Sequence, residues 1–176
     1  VEVQGARLHF EFRGKSGVLH SLDVRDPRLA RLVRRLQELE GQDLFQYVDA
    51  DGAPHGITSQ DVNAYLKEIS GGGEFTAKDF RTWAGTVLAV QALCALGGCE
   101  SEAEARRHLA DVARSVAAHL GNTPTVSRKY YIHSAVLEGY AGGRALSPLA
   151  PEALQPPYEG LREEELLALR VLHALL

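Results

Sequence analysis

The sequence predicts an α+β chain that is mostly α-helical, with a small N-terminal antiparallel β-sheet followed by a helical bundle. Three observations predict it. Val1, Val3, Leu8, Phe10, Phe12, Val18, Leu22 and Val24 bring apolar side chains into residues 1–24 at the two-residue period of half-buried strands. From Asp26 onward the apolar residues recur at the helical period. Capping residues and glycine stops then punctuate the chain repeatedly. The expected organisation is one domain over 1–176, divided into a sheet over 1–24 and a helical lobe over 26–176. A chain of 176 residues is long enough for that.

The elements follow in order. "RGKSG" interrupts the opening strands, and Gly14, Ser16 and Gly17 suit a hairpin turn. Lys15 then sits at the turn tip. "DPRLARLVRRLQELEG" has Asp as cap, Pro in the first turn and Gly at its end, which marks a helix. "LFQYVDADGAPHG" reads as a loop. "TSQDVNAYLKEISGGG" reads as a capped helix stopped by glycines, and "TAKDFRTWAGTVLAVQALCALGG" as a long helix capped by Thr76. In "SEAEARRHLADVARSVAAHLGN", Ser101 and Glu104 have the spacing of a capping box. "TPTVSRKYYIHSAVLEGYAGG" holds one or two shorter helices. The prolines from 148 to 157 read as a linker to an amphipathic last helix, "REEELLALRVLHALL". No internal repeat is present.

Composition narrows the function classes only slightly. The net charge of −4 argues mildly against a nucleic-acid partner. The acidic residues concentrate in "EGQD", "ESEAE" and "REEE", however, while Arg13, Lys15, Lys78, Arg81, Arg128 and Lys129 form short basic clusters. Cys94 and Cys99 are the only cysteines, and their C-x4-C spacing is not a usual zinc pattern, so they read as free thiols in a reducing, cytoplasmic compartment. No signal peptide is visible. "WAGTVLAVQALCALGGC" is shorter than the ~20 residues that span a bilayer and contains Gln91. The chain has no methionine, even at residue 1, which leads to the expectation of a fragment or processed chain.

Several motifs have plain readings. "DADG" at 49–52 lacks the further ligands of a calcium loop and reads as a turn. Gly71–Gly73 lacks the strand and lysine of a phosphate loop and reads as a helix stop. His108 and His119 are eleven residues apart, too far for one metal. Two stretches stay open. In "KDFRTW", Arg81 is either part of a solvated charged face with Asp79 or a phosphate clamp. Guanidinium is planar and always charged, and the first turns of a helix favour an anion. In "FRGKSGVLH", Lys15 either keeps a hairpin soluble or donates a proton to a departing alkoxide. Tyr130 and Tyr131 follow Arg128 and Lys129. A phenol with a pKa of about 10 needs nearby cations to attack at neutral pH.

Taken together, "FRGKSG…H", "SQDVNAYLKE", "FTAKDFRTWAGT" and "LGNTPTVSRKYYIH", in that order, resemble the catalytic domain of type IB DNA topoisomerases, in particular the short bacterial and poxvirus-like branch. The resemblance covers nearly the whole chain. It implies a fold shared with tyrosine recombinases. It also implies nicking of one DNA strand through a 3′-phosphotyrosyl link, swivelling and resealing, with neither ATP nor a metal ion. It implies that Tyr131, nine residues after Asn122, is the nucleophile and Tyr130 its neighbour. Arg81 becomes the transition-state clamp, Lys15 the general acid and Lys78 an assistant at the phosphate. Asn122 occupies a position that is often histidine in the family. Arg13, His20, Arg128 and Lys129 are the implied DNA contacts. The partner is duplex DNA, with no membrane, and the protein is expected to act as a nucleoid-associated monomer. A further arginine and an N-terminal clamp lobe are expected from segments preceding residue 1, so this fragment alone is expected to cleave slowly or not at all. A tyrosine recombinase and a non-catalytic helical DNA-binding module are the competing readings.

Overall fold

In the computed structural model of the chain, the residues described are 1–176 apart from 15, 16, 18, 42, 144, 145, 147–157 and 159. The chain divides into two compact units, Val1–Glu74 and Phe75–Leu176. The first unit therefore holds more than the opening sheet.

That unit begins with a three-stranded antiparallel sheet of β1 (Glu2–Gln4), β2 (Arg7–Arg13) and β3 (Leu19–Arg25), in that spatial order. Register pairs Leu8 with Val24 and Phe12 with His20. The β2–β3 turn closes through Gly17 N–H donating to the Gly14 carbonyl, with Gly17 at a φ of 74° that glycine adopts without strain. α1 (Pro27–Gln37) follows. The Asp26 carboxylate accepts from the Arg28 and Leu29 amides, and these bonds hold its pKa below the usual carboxylate range. Leu8, Ala30 and Val33 are the buried centre, flanked by Val3, Phe10, Leu29 and Leu44.

The segment expected to be a loop instead contains a short hairpin, β4 (Gln46–Val48) paired with β5 (Pro54–Gly56). Three-residue strands are too short for a period to register in sequence. Asp49 makes the turn, accepting from the Asp51 and Ala53 amides and lying 2.6 Å from His55 Nε2. α2 (Ser59–Ile69) carries a full capping box between Thr58 and Asp61 and ends at Gly71 and Gly72, both with positive φ.

The second unit is entirely helical among the described residues: α3 (Ala77–Leu96), α4 (Glu102–Leu120), α5 (Pro124–Tyr130), α6 (Ser134–Ala141) and α7 (Glu163–Leu175). Its core joins Val90 and Leu93 of α3, Leu109 and Val116 of α4, Val136 and Tyr140 of α6, and Ala168 and Val171 of α7. This is the expected α+β, mostly helical class. The linker expected over 148–157 lies wholly outside the described residues, as does Lys15.

One detail differs from the sequence reading. The expected capping box of α4 is half made: Ser101 Oγ accepts from the Glu104 amide, but the Glu104 carboxylate takes the Glu100 amide instead. His108, for which the sequence left a surface or a partly packed role open, is partly packed. Its Nδ1 lies 2.6 Å from the hydroxyl of Tyr140, which burial pushes to a raised pKa, while His119 is exposed. Cys94 and Cys99 are free and partly buried, and burial raises the Cys94 thiol. No helix among the described residues is long and apolar enough to cross a membrane.

Candidate active site

The first turns of α3 carry the two cations singled out in sequence. Thr76 caps the helix, and the Asp79 carboxylate accepts from the Thr76 amide at 2.8 Å and its hydroxyl at 2.7 Å. The Thr76 hydroxyl is the largest cause holding the Asp79 pKa low. Asp79 is thus engaged with the cap. Arg81, exposed, reaches in another direction: its Nη2 donates to the Leu120 carbonyl at 2.7 Å.

Leu120 ends α4. Gly121 follows in the left-handed region (φ 63°, ψ 43°), which turns the chain toward α5. Asn122 sits in that corner, its amide N–H bonded to the Ala117 carbonyl and its side-chain Nδ2 donating to the Leu120 carbonyl at 3.1 Å. Arg81 and Asn122 therefore converge on one carbonyl oxygen, although 41 positions separate them in "KDFRTW" and "LGNTP".

Thr123 and Pro124 start α5 with a side-chain cap and a proline in the first turn. One short helix later the chain reaches the tyrosines. Tyr131 is half-buried at the C-terminal cap, its N–H bonded to the Ser127 carbonyl at 2.9 Å. The Arg81 guanidinium carbon lies 5.1 Å from the centre of its ring. Tyr130 is 49% exposed and faces different cations: Lys78 Nζ lies 5.7 Å and Lys129 Nζ 5.1 Å from its ring centre. The two adjacent phenols thus occupy distinct surroundings, one beside the guanidinium and one near two ammoniums.

Of the residues named from sequence, Arg81, Asn122 and Tyr131 come together, with Lys78 beside the neighbouring tyrosine. Arg128 is exposed in the last turn of α5. Arg13 ends β2, exposed, and His20 on β3 stacks on Phe12 with ring centres 5.1 Å apart. Sequence reading missed the residues that hold the tyrosine segment in place: Thr82, Gly85 and Thr86 on α3. Their one sequence signal is the i, i+3, i+4 spacing, which any helix face shares.

The fold and this cluster define a class, the catalytic core of DNA topoisomerase I: the family description "Eukaryotic DNA topoisomerase I, catalytic core" matches residues 1–143. The chain is also 31% identical over 147 residues to a protein named DNA topoisomerase 1B of Acanthamoeba polyphaga mimivirus, an alignment covering 80% of this chain and 44% of the viral protein. The chain belongs to the type IB DNA topoisomerase family, and it spans less than half the length of that relative.

Proposed function

We propose that this chain is the catalytic part of an enzyme that relaxes supercoiled duplex DNA through a 3′-phosphotyrosyl intermediate. The observation that carries this reading is the Arg81 guanidinium 5.1 Å from the Tyr131 ring centre, on a helical body of this family. Tyr131 Oη forms a bond to the scissile phosphorus as the bond to the 5′-oxygen breaks. The phenolic proton leaves to solvent or a nearby base, and Lys15 supplies a proton to the departing 5′-oxygen. Arg81 and Asn122 donate hydrogen bonds to the non-bridging oxygens, where charge grows in the transition state. Lys78 adds positive charge at the same phosphate, and Arg13, His20, Arg128 and Lys129 hold the flanking duplex.

The phosphotyrosyl ester keeps the energy of the broken phosphodiester. Resealing is the reverse reaction, with the 5′-hydroxyl attacking and the phenol departing. No nucleotide is consumed, and the charge stabilisation falls to side chains rather than to a metal. The protein works as a monomer in the cytoplasm, on DNA of the nucleoid.

Tyr131 is favoured over Tyr130 because it alone of the two has the guanidinium over its ring. The test is a duplex in which the short downstream fragment bearing the freed 5′-hydroxyl dissociates, so that the covalent protein–DNA adduct accumulates. The adduct is expected to form with wild type and with Tyr130→Phe, and to disappear with Tyr131→Phe. An adduct that survives Tyr131→Phe removes this tyrosine from the chemistry. Relaxation of plasmid lacking any recombination site distinguishes swivelling from strand exchange.

A further inference from the structure

We infer that Thr86 and Gly85, with Thr82 one turn earlier, form a positioning face on α3 that fixes where the Tyr131 phenol stands relative to Arg81. This rests on the assignment of Tyr131 as nucleophile and assigns a role to residues outside it.

Three observations on the same helix face support the inference. Thr86 is a polar residue only 2% exposed inside an apolar helix bundle. Its Oγ1 accepts from the His133 backbone N–H at 3.0 Å, two residues beyond Tyr131. Gly85 is buried directly against the nucleophile's own backbone: a Cβ at this position would collide with the Tyr131 carbonyl oxygen. Thr82 Oγ1 stands 3.3 Å from the carbonyls of both Lys78 and Tyr130, so its single proton is shared between helix and tyrosine segment.

Residues 130–133 bridge the end of α5 and the start of α6, where helical hydrogen bonding is interrupted. The amide of His133 finds its partner on α3 instead. The segment is thereby held by a helix of fixed rise, about 1.5 Å per residue, and Arg81 projects from the turn just before the holding face. The absence of a side chain at 85 sets the closeness of approach, and the hydroxyl at 86 sets the register. Neither group touches the reacting atoms. Gly85 acts through the backbone of Tyr131 and Thr86 through the His133 amide two residues on.

Thr86→Val keeps the shape and removes the hydroxyl, Thr86→Ser keeps the hydroxyl, and Gly85→Ala drives a methyl against the Tyr131 carbonyl. Each is made in the intact protein. Single-turnover cleavage of the same adduct-trapping duplex gives a rate constant and an amplitude. Thr86→Val and Gly85→Ala are expected to lower the rate constant on the order of 10- to 100-fold, the scale on which an ångström of misplacement acts. Resealing, which passes through the same transition state, slows in parallel, DNA affinity is unchanged, and Thr86→Ser restores near-wild-type rates. A variant that merely folds poorly loses amplitude and keeps its rate constant. Wild-type rate constants in both variants, or loss confined to amplitude, overturn the inference while leaving Tyr131 as nucleophile. An adduct insensitive to Tyr131→Phe overturns both.

Discussion

At the residue scale the most informative position is Asn122. Its amide shares the Leu120 carbonyl with Arg81, and in the proposed mechanism it donates to a phosphoryl oxygen. An amide donates at any ordinary pH, whereas an imidazole gains and loses a proton near ~6.5. Asn122→Ala is expected to slow single-turnover cleavage on the order of 10- to 100-fold, somewhat less than the loss typical of a dedicated oxyanion donor. Asn122→His is expected to retain cleavage and to acquire a pH dependence near neutrality that the wild type lacks at this position. Cleavage rates from acid to mildly alkaline pH check both, and an alanine variant as fast as wild type removes Asn122 from the site. Asn122, Arg81 and Tyr131 could be proposed from sequence only because the stretches that hold them resemble a known family; taken alone, Arg81 reads equally as a solvated charged face. Thr86 could not, because a threonine in an apolar helix has no mark until the amide it satisfies, 47 positions away, is brought beside it.

At the scale of elements, α3 is the member to which the rest of the helical unit is referred. Its cap and length were legible, since Thr76 and the terminal glycines are local signals, whereas the part Asp79 plays in the cap was not read. Its tie to α7 was not: Trp83 Nε1 donates to Glu165 Oε1 at 2.9 Å across 82 positions. Glu165 also accepts from the Arg162 amide at 2.9 Å and its Nε at 3.3 Å. The Arg162 backbone bond first, then the Arg162 side chain and Trp83, hold the Glu165 pKa down to about 2 from an ordinary 4.5. The carboxylate is therefore more acidic folded than unfolded. Its stabilisation is fully present above pH 4.5 and is lost as pH falls toward 2. Thermal unfolding of wild type and Glu165→Gln should show the wild type more stable near neutral pH, with the difference shrinking steadily below pH 4.5. A difference independent of pH over that interval would mean that the carboxylate charge plays no part in the α3–α7 tie. The β4–β5 hairpin was illegible for a different reason: strands of three residues show too few alternations to differ from a loop.

At the scale of the whole chain, the proposed function asks acidic residues and a polyanionic substrate to coexist, with a few local cations making the contact. The net charge is −4, yet the proposed substrate carries one negative charge per ~1.7 Å of duplex. On that proposal, the affinity this chain contributes comes from cations displacing counterions at particular phosphates. The last turn of α5 is suited to this, since Arg128 and Lys129 are exposed beside the tyrosine segment. Lys129 also lies over the Tyr130 ring, which orders the ammonium without neutralising it. If both side chains meet phosphates, binding of the intact protein to a non-cleavable duplex should fall steeply with salt. Arg128→Ala/Lys129→Ala should then reduce the log–log slope by about 1.8, about 0.9 for each phosphate no longer neutralised. Sequence preference should be unchanged, because bonds to phosphate carry no base information. With Tyr131→Phe as background the same titration reads binding alone, free of cleavage. A double variant with the wild-type slope would place the electropositive contact surface elsewhere in the protein, and a reduced affinity with an unreduced slope would mean that the two residues shape α5 rather than neutralise DNA.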